Sequence, residues 1–482
     1  MNYSMIKYTL GWLLMFMGVF FTVPLITAAI YWEPAFFSFL IMIAISVGLG
    51  LLMTLKKPKN STLYAKEGFV IVSASWILLS LFGALAFVLS GATTNFVDAL
   101  FESASGFTTT GASIFGDVES LPRSVLMWRS FSHWIGGMGV LVFIMAFLPL
   151  SGGQNMHIMR AESPGPEVSK LVPRVKKTAL ILYVIYFMLT FIMFALLLFF
   201  DMDVFEAINT AFSTAGTGGF GFRNDSCASF TAAQQIVITV FMLLFSINFN
   251  SYYLVLRLKF KDALNSEVRA FLLIVSVAVG IITADLWINL TTEFDSVWEA
   301  LRHAAFTVSS LISTTGFSTV DFNLWPALSQ TMLVIVMFIG ACAGSTGGGI
   351  KVSRILILFK GMSRELRTIV HPRQVKKITI DGKPVDREVT RSVNAYITTF
   401  VVVFTLSLLA ISFEEKDLIT NFTAVTATIN NVGPGLGGVG PTSNFADFTA
   451  FSKLVFTFDM LAGRLELFPM LILFSPSTYK RT

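Results

Sequence analysis

The sequence DALFESASGFTTTGAS, residues 98–113, is a short semi-polar run that ends in three threonines and a glycine. Its first part is about a dozen residues long, whereas a helix needs about 20 residues to cross a bilayer. The pattern occurs three more times, as FEAINTAFSTAGTGGFG (205–221), WEALRHAAFTVSSLISTTGFS (298–318) and DLITNFTAVTATINNVGPG (417–435). Its glycines are Gly111, Gly219, Gly316 and Gly433. Because internal repeats define the architecture of a chain, these four segments decide the fold.

A half-spanning helix followed by extended backbone leaves carbonyl groups without helical partners. At membrane depth, such backbone is tolerated only where it lines a watery cavity or is buried in protein. Four such segments around one axis would present rings of carbonyl oxygens that replace the hydration shell of a large monovalent cation. Glycine permits backbone conformations closed to other residues. The alternative is that Gly, Ser and Thr mediate helix packing, which four copies at equivalent positions disfavour.

The composition places the whole chain in a membrane. Of 482 residues, 54% are hydrophobic and only 13% are charged, against about 25% charged residues in soluble domains. The N-terminal apolar run 10–30 is interpreted as a first span rather than a cleaved leader. We therefore predict an all-α polytopic protein of about ten spanning helices, near 8–31, 36–55, 68–91, 126–149, 178–200, 234–256, 268–290, 327–357, 394–413 and 451–474.

Charges alternate between the connections of these helices. Every second connection is basic (56–66, 160–177, 257–269 and 360–391), which by the positive-inside rule puts both termini in the cytoplasm. The other connections carry acidic residues, which we interpret as a mouth that attracts cations, or simply as solvated loop charges. They include Glu33, Asp98, Glu102, Asp117, Glu119, Asp201, Asp203, Glu206, Asp225, Glu293, Asp295, Glu299, Asp321, Glu414, Glu415 and Asp417.

Two further stretches, IGACAGSTGGGIKVSRILILFK (339–360) and LAGRLELFPMLILFSP (461–476), together with the four repeats, resemble the Trk/Ktr/HKT cation transporters. WIGGMGV (134–140) and PGP (164–166) fit the same resemblance, which covers the whole chain and favours the bacterial TrkH/TrkG potassium-uptake branch over the shorter Ktr type. It implies four pseudo-symmetric helix–pore-helix–helix units after two extra helices. The expected divisions are 1–60, 61–150, 151–257, 258–375 and 376–482.

The resemblance also implies the ligands of a potassium filter. Serine in place of the first filter glycine accompanies sodium permeation in related plant proteins, so Gly111 points to potassium selectivity. The fourth copy departs most from the threonine pattern, and its assignment is the least secure. The expected ligands, each pair followed by its glycine, are Thr109, Thr110 and Gly111; Thr217, Gly218 and Gly219; Thr314, Thr315 and Gly316; and Asn431, Val432 and Gly433.

Two gating elements are expected below the filter. A run of small residues interrupts the predicted span 327–357, since each glycine costs a helix up to about 1 kcal/mol relative to alanine. The resemblance makes this run a movable intramembrane gate; the alternative is a passive kink for close packing. Its residues are Gly344, Ser345, Thr346, Gly347, Gly348 and Gly349, with Lys351 just beyond as a weaker candidate.

Arg464 lies within an apolar predicted helix, where a charge is costly and usually functional. The resemblance places Arg464 at the narrow point under the filter, as an electrostatic barrier to cations. The alternative is an ion pair with Glu466 or Asp459.

Other function classes find no support in the sequence. The four histidines (133, 157, 303 and 371) form no HExxH pair, and GSTGGGIK has Ile350 where a phosphate-binding loop requires lysine. We therefore expect no enzyme activity, no intrinsic cofactor and no nucleic-acid partner. Cys227 and Cys342 suggest neither a disulfide nor a metal site.

The predicted function is potassium uptake across the bacterial inner membrane, with potassium as the transported ion and membrane lipid around the chain. A proton- or sodium-coupled potassium symporter on the same scaffold stays open as an alternative. The resemblance implies a homodimer and a cytosolic TrkA-like regulatory subunit, and any nucleotide dependence would belong to that subunit.

Overall fold

The computed structural model describes residues 1–58, 63–139, 175–290, 294–372 and 377–479. Helices dominate these residues. The strands found among them are β1 (Thr379–Ile380) and β2 (Lys383–Pro384), which pair antiparallel as a small hairpin. The predicted all-α fold of a polytopic membrane protein is confirmed.

The N-terminal helices α1 (Tyr3–Phe20), α2 (Thr22–Ile30) and α3 (Ala35–Thr54) form an antiparallel pair in which α2 continues α1. Small residues set the distance between α1 and α3. A methyl group built on Gly50 would lie 2.7 Å from the carbonyl oxygen of Gly11 and 2.6 Å from a side-chain carbon of Met15.

The next two units each contain a long outer helix, a short pore helix and an inner helix. The inner helix of the second unit is broken, since its two halves meet at 93°. These helices are α4 (Ala65–Leu89), α5 (Phe96–Phe107), α6 (Arg123–Gly137), α7 (Val175–Phe199), α8 (Val204–Gly216), α9 (Ala232–Ser246) and α10 (Phe249–Leu256).

The last two units repeat the arrangement after the single turn α11. Their inner helices are also interrupted, by a glycine-rich loop in the third unit and by a turn in the fourth. The helices are α11 (Phe260–Ala263), α12 (Ser266–Asn289), α13 (Val297–Ile312), α14 (Ala327–Ile339), α15 (Val352–Val370), α16 (Arg387–Ile411), α17 (Leu418–Ile429), α18 (Ala450–Arg464) and α19 (Phe468–Ile472).

Among the described residues, six helices are long and apolar enough to cross a bilayer, or seven if α9 and α10 count as one span. Predicted spans 126–149, 327–357 and 451–474 begin as helices of 15, 13 and 15 residues. The second of these ends at a glycine-rich stretch, and the third at left-handed backbone at Glu466 and Leu467. Three predicted features lie outside the described residues. They are positions 140–149 of the predicted span 126–149, the PGP motif and the basic stretch 160–174.

The four pore helices begin in the same way. Each has 12 to 16 residues, about 18–24 Å at 1.5 Å per residue, and is therefore shorter than the hydrocarbon core. A side-chain oxygen caps the first turn of each helix and satisfies a backbone N–H group that has no helical partner. The four caps are Asn95, Asp203, Ser296 and Asp417.

The units are arranged in a closed ring. Each inner helix packs on the pore helix of the following unit: α6 on α8, α9 on α13 and α14 on α17. The last inner helix, α18, packs on α5 of the first unit. This order brings the ends of all four pore helices together at one place.

The N-terminal pair can be tested through its small residues. Gly50→Leu is expected to lower the melting temperature of the detergent-solubilised protein, because overpacking at a close helix crossing costs about 1–3 kcal/mol. Gly48→Leu is the matched control, since a methyl group at Gly48 meets nothing within 4 Å. Equal melting temperatures for the two variants, measured by size-exclusion chromatography after heating, would contradict this packing.

Candidate functional site

The four segments that follow the pore helices share one backbone conformation. We call them the ring segments: 109–111, 217–219, 314–316 and 431–433. The first residue of each is left-handed although it is not glycine, with φ of 56° at Thr109, 56° at Thr217, 61° at Thr314 and 56° at Asn431. The glycine two residues later also has a positive φ, between 77° and 96°.

Hydrogen bonds at the helix ends explain this conformation. In each segment the middle N–H donates to the carbonyl five residues back, as a Schellman cap requires. The first N–H donates to the carbonyl three residues back, which completes the motif. The donor–acceptor distances of the longer bonds are 2.9 Å for Thr110 to Ser105, 2.9 Å for Gly218 to Ser213, 2.8 Å for Thr315 to Ser310 and 2.8 Å for Val432 to Ala427.

The glycines lie against the neighbouring segments. A methyl group built on each would approach a middle carbonyl oxygen of the next segment in a closed cycle. The distances are 1.9 Å from Gly111 to Gly218, 1.8 Å from Gly219 to Thr315, 2.3 Å from Gly316 to Val432 and 2.7 Å from Gly433 to Thr110. Each position therefore requires glycine both for its φ and for the space.

A cavity of about 120 Å³ opens on the glycine side of the ring. All four ring glycines line this cavity, together with polar groups that include Arg223, Asn224 and Asn444. The structure thus brings the twelve predicted ligand residues together at one place. All of them are buried except Gly111, Gly219 and Gly316, which are partly exposed.

The fourth segment is tied to the first through a side chain. The Asn431 amide donates to the Thr110 hydroxyl at 2.9 Å and to the Met460 carbonyl at 2.9 Å. The Thr110 hydroxyl also lies 2.8 Å from the hydroxyl of Thr108. Asparagine thus serves here as a cross-brace between segments, in addition to adopting the left-handed conformation.

His133 braces the first and second segments from within α6. Its Nδ1 lies 2.7 Å from the Gly106 carbonyl, and the Phe220 N–H donates to its Nε2 at 3.2 Å. Because Nε2 accepts, the ring is neutral with its proton on Nδ1. A methyl group on Gly218 would lie 2.2 Å from the imidazole.

Glu102 is part of a buried ion pair, so the alternative that it is a solvated loop charge is wrong. Arg129 Nε donates to its carboxylate at 2.8 Å, and both side chains are at most 2% exposed. The Ile114 N–H donates to Glu102 at 2.9 Å, while Arg129 donates to the Gly221 carbonyl at 3.0 Å. The pair therefore joins the loops that leave the first two ring segments.

Other acids of the connections predicted to lie outside are also engaged in contacts. Asp98 pairs with Lys453 at 2.6 Å and Glu206 with Arg223 at 2.8 Å. Glu33 accepts from Arg123 N at 2.6 Å and caps α6. Glu293 lies outside the described residues. At least these three acids, Asp98, Glu206 and Glu33, therefore stabilise the fold through ion pairs or a helix cap.

The break in the third inner helix is wider than predicted. It covers residues 340–351, here called the glycine-rich loop, between the end of α14 and the start of α15. At its neck the backbone crosses itself, since a methyl group on Gly340 would lie 2.5 Å from the Gly348 carbonyl. Of the predicted gate residues, 344–347 lie inside this neck, and Gly348 and Gly349 form one side of it.

The glycine-rich loop contacts the undersides of two ring segments. Gly348 N donates to the Thr314 hydroxyl at 2.6 Å, and Gly349 N donates to the Asn430 carbonyl at 3.0 Å. Methyl groups on Gly347 or Gly348 would collide with the Ser313 or Asn430 carbonyl. The glycines therefore let the loop lie directly against the ring.

Arg464 joins the glycine-rich loop to the first unit. Its guanidinium donates to the carbonyls of Thr346 at 2.7 Å, Gly136 at 2.5 Å and Gly137 at 2.7 Å. The last two carbonyls end α6, where a helix favours a cation.

The acids proposed as alternative partners of Arg464 have close contacts elsewhere. Glu466 pairs with Arg354 at 2.5 Å, and Asp459 accepts from Ser407 at 2.6 Å. Lys351 is 3% exposed, and its ammonium group donates to the Gly347 carbonyl, so it stabilises the loop from inside.

The sequence did not identify Arg129 and His133 as site residues. Arg129 lies within the predicted span 126–149, and an ionisable residue inside a span is by default a functional candidate. His133 lies within the same predicted span and, in the structure, within α6. The presence of an ionisable residue inside a predicted span could therefore have identified both Arg129 and His133.

The oxygens of this site are backbone and hydroxyl groups. Within the described residues, no group of three or more His, Cys, Asp or Glu side chains could hold a metal ion. Carbonyl and hydroxyl oxygens suit a weakly held, partly dehydrated cation that passes through.

Comparison with known proteins gives the family. A family described as cation transport protein matches residues 33–480. The chain is 36% identical to the Trk system potassium uptake protein TrkH of Salmonella typhimurium, over 100% of both chains. It is 35% identical to TrkG of Escherichia coli K12, over 94% of this chain and 93% of that one. The crystal structure of the potassium transporter TrkH from Vibrio parahaemolyticus covers 100% of both chains, with a TM-score of 0.89 and 32% identity. The chain therefore belongs to the TrkH family of membrane cation transport proteins.

Proposed function

We propose that this protein takes up potassium through a single pore whose filter is the closed ring of the four ring segments. The observation that carries the proposal is the cyclic contact of each glycine with the next segment's carbonyl. The relatives named as potassium uptake proteins support the choice of ion.

The ligands in this proposal are the backbone carbonyls of the ring segments and the hydroxyls beside them. The Thr109 hydroxyl is buried and has no hydrogen-bond partner in the described part of the chain, so it is available to a cation. Four pore-helix C-termini end at the ring, and each contributes partial negative charge. Potassium fits because its hydration shell is easier to replace with such weak oxygen ligands than that of a divalent ion.

The glycine-rich loop and Arg464 form the gate in this proposal. The loop lies directly against two ring segments, and Arg464 places a positive charge beside it. A cation leaving the ring would meet that charge in a low-dielectric environment, where repulsion is strong. Opening requires the loop and Arg464 to separate from α6.

We also propose the membrane location, the orientation and the partner subunits of the protein. The basic connections support a cytoplasmic location of both termini in the inner membrane of a bacterium. We further propose a homodimer and a cytosolic TrkA-like subunit that binds the regulatory nucleotide. In this scheme the chain described here needs no cofactor of its own.

Gly111→Ser tests the filter. A side chain there would lie 1.9 Å from the Gly218 carbonyl at a φ of +83°, so that carbonyl must move. We expect the potassium-over-sodium permeability ratio to fall by about tenfold, because ligand distance and field strength set selectivity. Reversal potentials in mixed-ion proteoliposome or bilayer recordings measure the ratio.

Gly91→Ser is the control, because Gly91 also has a positive φ but faces open space. It should leave the permeability ratio unchanged. An unaltered ratio in Gly111→Ser would overturn the filter assignment.

Arg464→Ala tests the gate. Removal of three hydrogen bonds to carbonyls and one positive charge is expected to raise basal potassium flux about tenfold or more without any partner. Arg464→Lys retains the positive charge but lacks the planar guanidinium group that donates several hydrogen bonds. Its basal potassium flux is therefore expected to lie between that of the wild type and that of Arg464→Ala. Basal flux equal to that of the wild type in Arg464→Ala would contradict the gate.

A further inference from the structure

A buried carboxylate joins the glycine-rich loop to the helix that follows it. Glu267 lies in the first turn of α12 and is 9% exposed. Its Oε1 accepts from the backbone N–H of Ala343 at 2.6 Å and from that of Ser353 at 3.2 Å. Ala343 lies within the loop and Ser353 in the first turn of α15, so one oxygen atom joins the loop to the helix that follows it.

The contact with Ser353 also replaces a missing helix cap. The residue before α15, Lys351, makes no capping bond with its side chain and has a φ of 82°. The N–H groups of a first helical turn need acceptors, and a negative charge there is stabilising. Glu267 supplies both from another helix, so α15 is anchored at the same point as the loop.

The hairpin of β1 and β2, which the proposed topology places in the cytoplasm, contacts the same turn of α12. Asp381, at the tip of the hairpin, accepts from Ser266 N at 2.8 Å and from Ser266 Oγ at 2.5 Å. On the other side, Lys360 of α15 donates to the Thr379 carbonyl at 2.7 Å. The hairpin therefore bridges the first turn of α12 and the helix α15.

We propose that Glu267 is a latch that keeps the glycine-rich loop closed, and that the hairpin is the handle through which a cytosolic protein partner releases it. The inference rests on the proposed function, because it assumes that the loop gates the pore. Glu267 is a positioning residue, since it acts on the pore only through the loop. A partner that displaced the hairpin would shift the first turn of α12 relative to α15 and loosen both bonds together.

The native cysteines provide a test that does not depend on ion flux. Cys342 directly precedes Ala343 and is 0% exposed, while Cys227 is 1% exposed and lies in a different loop. In Glu267→Ala, alkylation of Cys342 by a membrane-permeant maleimide, followed by mass spectrometry, is expected to be about tenfold faster than in the wild type. Cys227 should be unaffected. Glu388→Ala, which removes an exposed carboxylate from the first turn of α16, should match the wild type.

Glu267→Gln keeps one acceptor oxygen, loses the charge and exchanges the second oxygen for an NH2 group, so we expect about a threefold faster reaction at Cys342. This variant gives the answer if Glu267→Ala does not fold. Unchanged Cys342 reactivity in a folded Glu267 variant would overturn the latch. An equal increase at Cys227 would also overturn it, because it would mean general loosening.

The handle is tested in the same assay. Asp381→Ala should raise the Cys342 reaction rate about threefold, and Asp381→Asn, which retains the acceptor oxygen, should not. No difference between these variants would remove the hairpin from the mechanism. Wild-type potassium flux, measured on the same preparation, separates failure of the latch from failure of the proposed pore.

Discussion

The contact between each ring glycine and the carbonyl of the next segment constrains the rest of this structure. A Cβ atom at any of the four positions would lie within 2.7 Å of a neighbouring backbone oxygen. Such spacing requires four backbones to meet without side chains between them. The short pore helices, their capped starts and their Schellman ends deliver the four backbones to that meeting point.

The surrounding polar groups hold this arrangement in place at membrane depth. An unpaired buried charge is costly, and the charges near the ring are paired or bonded to backbone: Arg129 with Glu102, Arg354 with Glu466, and Lys351 with Gly347. These side chains also bond to backbone groups of loops, which have no partner within a helix. Examples are the Gly221 carbonyl with Arg129, the Ile114 N–H with Glu102 and the Gly347 carbonyl with Lys351. Side chains thus supply the partners that irregular backbone lacks in lipid.

Much of this architecture was predictable from the sequence. The four repeats, their glycines and the break near residues 344–349 follow from spacing and from the cost of glycine in helices. The left-handed conformation at Thr109 was not predictable, because it depends on a helix-end hydrogen bond rather than on residue preference. The full extent of the break was also missed, since Gly340 lies in an apolar stretch that reads as continuous helix. Glu102 was placed among solvated acids because its partner, Arg129, is distant in sequence. The ligand roles, the domain divisions, the dimer and the regulatory subunit stay predictions.

The most direct test of the central claim is ion flux into proteoliposomes that contain the purified chain alone, under a clamped membrane potential. A single pore lined by the four ring segments predicts potassium and rubidium fluxes that exceed sodium flux and follow the potassium or rubidium gradient alone. Potassium flux that appears only with a proton or sodium gradient would contradict the pore and favour a coupled symporter.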